Sequence, residues 1–374
     1  MKYFNTLLFL SFMLISAAGS AQMNKKSKPF TWGELAPIPD QFGFAGSFSG
    51  VSGDALIVAG GANFPDGGAP WTGSKKVWSD KIFVLDKPSG KWKVAGKLPG
   101  PLGYGVSLTW DNQLICIGGS NESGHSANVY SISYDGKKIT INQLPALPQA
   151  IANSSGAIIG NVVYLAGGLF KPDDSQTAGV FLSFNLASKA SGRVWHELET
   201  WPGPPRMLAV AGVANQSFYL FSGTGLIKND SGQLERKYLT DAFCYHPGSG
   251  WKKLSALSKA VVAAPSPAYT LNNKSLLVFG GDDGALAPKA SALKEKHPGF
   301  SDDILAYDIT KNTWSVKGKV LKTIRKDAGA APNNSVWPAV TNSMVIWHGN
   351  LIFPGGEVRP AVRTPRVIIA KVKK

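Results

Sequence analysis

Short apolar runs that end in glycine recur along the chain, and each follows a polar turn such as "SGD", "DNQ" or "HGN". Successive runs lie 49 to 75 residues apart, counted between their last glycines. A repeat of this length is typical of β-propeller blades joined by loops of different length. The runs are "LIVAGG" to Gly61, "LICIGG" to Gly119, "VYLAGG" to Gly168, "YLFSG" to Gly223, "LLVFGG" to Gly281 and "LIFPGG" to Gly356.

Each glycine-ended run has apolar strand-like segments on both sides. Another apolar segment precedes the turn, and a third follows the run, as in "KIFVLD" and "ILAYDI". A tryptophan commonly ends the unit, as at Trp92, Trp195, Trp251 and Trp314. Four short antiparallel strands repeated in a circle form a propeller, and we expect these tryptophans to pack between neighbouring blades.

The two ends of the chain each hold part of one blade. After Gly356 there is room for one strand, "RVIIAKV", whereas "FTWGELAPIP" around Trp32 has the form of an outer strand. We therefore predict an all-β, six-bladed kelch-type propeller formed by residues 22–374 as one domain. A strand at about residues 29–37 completes the last blade, at about 336–372, and closure of this kind removes an open sheet edge.

The first residues have the pattern of a secretory signal peptide. Lys2 gives a charged start, an apolar run follows over about residues 7–17, and small residues extend to Ala21. The run is shorter than the about 20 residues that span a bilayer. We predict a signal peptide over residues 1–21, cleavage before Gln22, export to the periplasm and no membrane insertion afterwards; an uncleaved anchor is the alternative.

Charge and cysteine content narrow the classes of partner. The 374 residues carry a formal net charge of +15, with basic residues scattered rather than interleaved with aromatics as in a nucleic-acid groove. This favours a small anionic substrate or an anionic surface over nucleic acid. Cys116 and Cys244 lie in apolar runs, so we expect two buried free thiols rather than a metal or redox site.

Long polar loops follow four of the glycine-ended runs and should meet at one mouth of the propeller. The loop "GGEVRPAVRTP" is distinctive because Pro360 and Pro365 restrict the backbone around its charged residues, which are Glu357, Arg359 and Arg363. The other three loops contain candidate polar residues such as Asn63, Lys75 and Asp282. For each of those residues a solvated surface role stays open.

The same loop carries a family resemblance. Together with "GFAGSFSGVSGDALIVAGGANFP" and "GYGVSLTWDNQLICIGG", it resembles the N-acetylneuraminate epimerases, and in particular cyclically permuted relatives in which this blade comes last. The resemblance implies an exported kelch propeller that interconverts the anomers of sialic acid. It also implies a catalytic glutamate with an arginine six positions later, which fall here on Glu357 and Arg363.

The residue types suit that chemistry. Opening and closing a hemiketal needs a proton taken from the anomeric hydroxyl and one given to the ring oxygen, which a carboxylate can mediate. A fixed arginine fork matches a substrate carboxylate. No metal or organic cofactor is required. The residues expected to contact substrate are Asn63, Lys75, Arg206, Asp282 and Arg359, although a surface role is equally open for Arg206.

Other classes of function remain open at this point. A non-catalytic propeller that binds glycans or a protein would use exposed aromatics such as Trp71, Trp78 and Trp337. A copper radical oxidase is disfavoured, because both cysteines lie in core-like runs and the five histidines are dispersed. A hydrolase with paired carboxylates is weak, since Asp282 and Asp283 are adjacent and their side chains are expected to diverge.

Overall fold

The computed structural model describes residues 29–189, 192–325 and 335–372. Within these ranges, six four-stranded antiparallel sheets follow one another along the chain. The first strands of consecutive blades contact one another from blade 6 through blade 1 to blade 5, so they surround a central axis. The predicted signal peptide lies outside the described residues, and the described part of the chain has no helix suited to crossing a membrane.

The strands are named by blade, from the innermost to the outermost. They are Phe48–Ser52, Ala55–Ala59, Lys81–Leu85 and Lys93–Lys97 in blade 1; Val106–Trp110, Gln113–Ile117, Val129–Tyr134 and Ile139–Leu144 in blade 2; Ser155–Ile159, Val162–Ala166, Phe181–Asn185 and Trp195–Glu197 in blade 3; Val210–Ala214, Ser217–Phe221, Ala242–His246 and Gly250–Leu254 in blade 4; Tyr269–Leu271, Ser275–Phe279, Asp303–Asp308 and Thr313–Lys319 in blade 5; and Val345–Trp347, Asn350–Pro354, Val367–Val372 and Phe30–Leu35 in blade 6.

Blade 6 combines both ends of the chain, which confirms the predicted closure. Phe30–Leu35 pairs antiparallel with Val367–Val372 along its whole length. The ring of Trp32 packs against Phe279 of blade 5 and Phe353 of blade 6, with centroids 6.3 and 6.0 Å away. The strand is therefore held by a full ladder of backbone pairing and by aromatic contacts to two blades.

The tryptophans that end the blades pack between blades, as predicted. Each indole N–H donates to a backbone carbonyl just beyond the outermost strand of the preceding blade. The pairs are Trp92 with Ala36 at 2.6 Å, Trp195 with Pro145 at 3.0 Å, Trp251 with Glu199 at 2.8 Å and Trp314 with Ser255 at 2.9 Å. Burying the ring while pairing its polar end is the arrangement that a core tryptophan favours.

The glycine pairs are required by sterics at the end of each second strand. Gly60 has φ of 64°, and a Cβ there would lie 2.1 Å from the carbonyl oxygen of Leu102. Only glycine fits such an approach readily. In blade 4 the equivalent residue is Ser222, whose hydroxyl donates to Leu239 and accepts from the amide of Val261, both at 2.8 Å.

A closed ring of backbone hydrogen bonds surrounds the axis, and we call it the axial ring. Its six members each precede an innermost strand and have positive φ. Each amide donates to the equivalent carbonyl of the preceding blade at 2.7–2.9 Å, and the amide of blade 1 donates to blade 6. A cavity of about 80 Å³ lies on the axis below it. The members are Gly46, Tyr104, Asn153, Leu208, Ala263 and Thr341.

After each glycine-ended run, the chain forms a segment at one mouth of the propeller. Four blades carry short hairpins there, and blade 5 carries a helical insertion. The hairpins are Ala62–Asn63 with Val77–Trp78, Ser120–Asn121 with Gly124–His125, Thr224–Lys228 with Leu234–Tyr238, and Glu357–Arg359 with Val362–Arg363. The insertion contains 3₁₀ turns at Ala287–Lys289 and Lys294–Lys296 and one α-helical turn at Ala290–Leu293, and a further 3₁₀ turn, Pro70–Thr72, lies in the blade 1 hairpin.

The two cysteines are free thiols, as predicted. Cys116 is buried, and burial raises its pKa. Cys244 is half-buried, less enclosed than the sequence pattern suggested.

Candidate functional site

The mouth segments enclose a cavity of about 1090 Å³ directly above the axial ring. Five members of the ring form its floor, so the backbone at the base of the cavity is fixed by the ring's hydrogen bonds. The walls come from the hairpins of blades 1, 2, 4 and 6, the blade 3 loop and the blade 5 insertion. The floor residues are Tyr104, Asn153, Leu208, Ala263 and Thr341.

Glu357 and Arg363 face each other across the blade 6 hairpin. They are directly paired in the register of Glu357–Arg359 with Val362–Arg363. The Arg363 NH2 atom lies 3.3 Å from Glu357 Oε2. The spacing of six residues thus has a structural reason, because it places opposite charges at facing positions of a tight hairpin.

The Glu357 carboxylate is fixed at the cavity wall by its surroundings. Its Oε1 atom accepts a hydrogen bond from the amide of Ala361 at 3.2 Å. Its backbone amide donates to the carbonyl of Val340, and its carbonyl accepts from the amide of Val340. Val340 directly precedes Thr341 of the axial ring. The side chain keeps 20% of its surface exposed, so a fixed carboxylate remains open to the cavity.

Arg363 is more enclosed than its partner. Its guanidinium stacks on Phe64 at 4.9 Å from the ring centroid, and its NH2 atom lies 3.4 Å from the hydroxyl of Tyr104. The Nε and NH1 atoms are buried and have no hydrogen-bond partner among the described residues. Burial alone would lower the pKa of Arg363, but the charge of Glu357 and the contact with Tyr104 raise it overall. The group therefore stays cationic.

Tyr104 connects Arg363 to a second cation. The residue belongs to the axial ring and has φ of 61°, a strained conformation for a side chain of this size. The Lys76 ammonium lies 5.0 Å from the centroid of the Tyr104 ring and 4.4 Å from that of Trp78. Burial lowers the pKa of Lys76, the charge of Arg363 lowers it further, and Glu357 opposes both.

Blade 5 places a second carboxylate at the position that corresponds to Glu357. Asp282 follows the glycine pair and bridges to Val262 as Glu357 bridges to Val340. Its Oδ2 atom accepts a hydrogen bond from the hydroxyl of Tyr238 at 2.7 Å. Burial and the contact with Asp282 raise the pKa of Tyr238, so this phenol stays protonated. The pair offers hydrogen-bonding groups to a polar ligand.

Two histidines also line the cavity. Burial lowers the pKa of His125, and both of its ring nitrogens are buried without a partner among the described residues. Burial likewise lowers the pKa of His297, whose Nδ1 atom accepts from the amide of Gly299 at 3.2 Å. Both imidazoles are therefore neutral near pH 7.

Two of the predicted contact residues on the blade 1 hairpin lie away from the cavity. Asn63 is buried and donates to the carboxylate of Asp40 at 3.1 Å, which stabilises the local loop. Lys75 is exposed on the outer side of the hairpin, whereas its neighbour Lys76 lines the cavity. The structure thus brings Asp282 to the cavity with Glu357 and Arg363, but not Asn63 or Lys75.

The two remaining predicted arginines also lie outside the lining. Arg206 is fully buried and forms a two-pronged ion pair with Asp241 at 2.7 and 2.8 Å. Arg359 is 4% exposed, stacks on Trp337 and donates to the carbonyl of Glu295 at 2.7 Å. Arg359 therefore joins the blade 6 hairpin to the blade 5 insertion.

The three tryptophans proposed as sugar platforms differ in position. Trp78 lines the cavity, and its Nε1 atom is buried without a partner among the described residues. The indole of Trp71 donates to the carboxylate of Glu295, which links the blade 1 hairpin to the blade 5 insertion. Trp337 is buried under Arg359. Only Trp78 of these three presents its ring to the cavity.

The sequence prediction selects Lys75 rather than its loop neighbour Lys76 as a contact residue, and it does not single out Tyr104. Residues two apart in an extended segment share a face, so Lys76 lies on the same face as Trp78, but the sequence does not show which face is turned to the cavity. Tyr104 lies within the stretch "GYGVS" that carried the family resemblance. Nothing local in the sequence shows that its hydroxyl reaches Arg363.

The model of the N-acetylneuraminate epimerase family matches residues 15–141 and 144–289, which is more than half of the chain. The chain belongs to the N-acetylneuraminate epimerase family. The Glu357–Arg363 hairpin lies beyond the matched residues. The geometry of that hairpin is therefore the basis for assigning roles to its residues.

Several curated N-acetylneuraminate epimerases are similar to part of the chain. The protein of Pasteurella multocida (strain Pm70) is 35% identical over 128 residues, which are 30% of this chain and 34% of the relative. The protein of Yersinia pestis (strain Pestoides F) is 39% identical over 126 residues, 29% of this chain and 32% of the relative. The aligned segments thus span about a third of the length of these epimerases.

A solved structure agrees with the architecture over nearly the whole chain. The structure of YjhT superposes with a TM-score of 0.61 and 16% identity, and the match covers 91% of this chain and 97% of that one. At this identity the similarity establishes the propeller fold alone.

Proposed function

We propose that the protein is a cofactor-independent epimerase that interconverts the anomers of N-acetylneuraminate or a related acidic sugar. The observation that carries the proposal is the Glu357–Arg363 pair, fixed on one hairpin at the wall of a cavity of about 1090 Å³. Family membership supports the reaction class. The net charge of +15 suits an acidic substrate.

In this proposal Glu357 transfers the protons. Its carboxylate takes the proton of the anomeric hydroxyl while the bond from the anomeric carbon to the ring oxygen breaks, and the carboxyl group so formed returns that proton, directly or through water, to the ring oxygen. In the open-chain keto form the bond next to the carbonyl carbon rotates, so that the opposite face of the carbonyl meets the ring-closing hydroxyl. The reverse steps then close the ring as the other anomer. Arg363 NH2 lies 3.3 Å from Glu357 Oε2 and helps to hold the carboxylate at the cavity wall.

The ring oxygen needs a donor at the moment of opening. The hydroxyl of Tyr104 lies 3.4 Å from Arg363 NH2, on the same side of the cavity as Glu357. Burial raises the pKa of Tyr104, Arg363 opposes this, and Glu357 adds to it, so the phenol stays protonated at neutral pH. Tyr104, directly or through water, is suited to supply that hydrogen bond.

The test is the rate of anomer exchange, followed by NMR after dissolving one anomer of N-acetylneuraminate. Glu357→Gln keeps the shape of the side chain but removes its basicity, so we expect the enzyme-dependent rate to fall by about 100-fold or more. Glu197→Gln, exposed on the outermost strand of blade 3, is the matched control and should exchange at the wild-type rate.

Equal rates for the wild type and Glu357→Gln would overturn the assignment of Glu357. If the wild type binds the sugar without accelerating exchange over buffer, the protein is a binding propeller instead.

Export is part of the same proposal and rests on the leader pattern of residues 1–21. We infer that the mature chain begins at Gln22 in the periplasm. The intact mass of the protein recovered from the periplasmic fraction checks this, and a mass that retains residues 1–21 would contradict it.

A further inference from the structure

We propose that Lys76, rather than Arg363, holds the carboxylate of the sugar. This inference rests on the proposed function and adds a specificity residue to it. It separates two tasks that the sequence pattern assigned to a single arginine: pairing with the reactive carboxylate and binding the substrate anion.

The burial of Arg363 argues against a forked contact with substrate. A carboxylate gripped by two parallel hydrogen bonds needs NH2 together with either NH1 or Nε. NH1 and Nε are both sealed from the surface, and NH2 already faces Glu357 and Tyr104. The side chain as a whole is 6% exposed. Each pair of nitrogens that could bind both oxygens of a carboxylate therefore includes one that substrate does not reach.

Lys76 has the opposite properties. It lines the cavity and its side chain is open to it. Among the described residues its ammonium forms no ion pair, whereas the ammonium groups of four other lysines do. The faces of Trp78 and Tyr104 hold the ammonium in place by cation–π contact and leave its N–H donors for a ligand.

The position of Lys76 also suits the order of groups on the substrate. The sugar carries its carboxylate on the anomeric carbon, next to the hydroxyl that loses a proton. Lys76 lies over one part of the Tyr104 ring, and the hydroxyl of the same ring reaches Arg363, the partner of Glu357. A carboxylate bound to Lys76 therefore places the anomeric carbon on the side of the cavity where the proton is transferred.

A pair of neighbouring lysines provides a matched test. Lys76→Met keeps the length of the side chain without its charge, and Lys75→Met makes the same change on the outer side of the hairpin. Each variant is assayed for anomer exchange with N-acetylneuraminate and with its C1 amide, which keeps the hemiketal but has no negative charge.

We expect Lys76→Met to raise KM for the acidic sugar by about 10-fold or more, the range for a hydrogen bond to a charged group, and to leave KM for the amide unchanged. Lys75→Met should change neither, and Lys76→Arg should restore most of the affinity. KM of the wild type for the acidic sugar should also rise as the pH approaches the lowered pKa of Lys76, because binding requires the protonated ammonium.

Equal changes for acid and amide in Lys76→Met, or equal changes in the two lysine variants, would overturn the proposal. Titration calorimetry of the same two sugars against wild type and Lys76→Met provides a readout that needs no catalysis. If the wild type shows no anomer exchange, the epimerase assignment fails, yet loss of acid-selective binding in Lys76→Met still supports this role for Lys76.

Discussion

Arg206 and Arg363 are both buried arginines with an acidic partner, but their hydrogen bonding differs. Arg206 donates from two nitrogens to Asp241, from NH1 to the carbonyl of Ser222 at 2.9 Å and from Nε to that of Pro204 at 3.3 Å. Arg363 has one contact of 3.3 Å to Glu357, one of 3.4 Å to Tyr104, and two nitrogens without partners among the described residues.

The difference separates an arginine that stabilises the fold from one that belongs to the candidate site. Buried polar groups in proteins are nearly always paired, and leaving one unpaired is costly. Arg206 meets that requirement and contributes to the packing of blade 4. Arg363 does not, so its burial is tolerated at a cost to stability, as is common where function sets the arrangement.

The largest expected effect is on stability, from Arg206→Met. The change leaves the Asp241 carboxylate and the carbonyl of Ser222 without their donor, so we expect the free energy of unfolding to fall by about 3 kcal/mol. Urea denaturation measures it. Adding Asp241→Asn should recover part of the loss, because the unpaired charge is then gone. A loss under about 0.5 kcal/mol would show that the ion pair of Arg206 is not structural.

The next effect is on rate, from Arg363→Met. Loss of the guanidinium removes the partner of Glu357, and we expect kcat for anomer exchange to fall by about 100-fold. The free energy of unfolding should change by less than about 1 kcal/mol, because two unpaired nitrogens leave the interior together with the charge. The same denaturation series checks this. Destabilisation as large as that of Arg206→Met would remove the distinction between the two arginines.

The smallest effect comes from Tyr104→Phe. The contact from its hydroxyl to Arg363 is long at 3.4 Å, while the backbone and ring are retained, so a fall in kcat of about 3- to 10-fold is expected. Tyr130→Phe, in the core between blades 1 and 2, is the control and should keep the wild-type kcat. A loss comparable to that of Arg363→Met would instead make Tyr104 an essential proton donor.

The fold could be predicted from the sequence because its determinants are local and repeated. Each blade has an apolar run that ends in glycine and follows a turn, and the form of the segment around Trp32 indicates where the missing outer strand lies. Blade 2 has no tryptophan at the position of Trp92, yet Ile139–Leu144 still forms its outermost strand. Alternating apolar and polar residues with a few turn residues are sufficient to form this strand, because the neighbouring blades fix which residues of blade 2 pair with one another.

The candidate site was predictable where a residue directly follows a glycine pair, as Glu357 and Asp282 do, or shares a hairpin with such a residue, as Arg363 does. Glu357 and Arg363 lie six residues apart, and their pairing follows from a tight turn. Arg206 finds Asp241 35 residues away, and no feature of "PGPPRMLAV" indicates that partner. Whether Lys75 or Lys76 faces the cavity depends on which side of a short extended segment is turned inward. The nearby sequence does not determine this.

The pairing of Phe30–Leu35 with Val367–Val372 has a consequence for biosynthesis. The ribosome makes one strand of this ladder near the start of the chain and the other more than 300 residues later, so blade 6 is the last sheet that can form. Glu357 and Arg363 lie in this blade. A nascent chain can therefore build five blades and most of the cavity wall, but the blade that carries Glu357 and Arg363 is complete only when Phe30–Leu35 meets Val367–Val372.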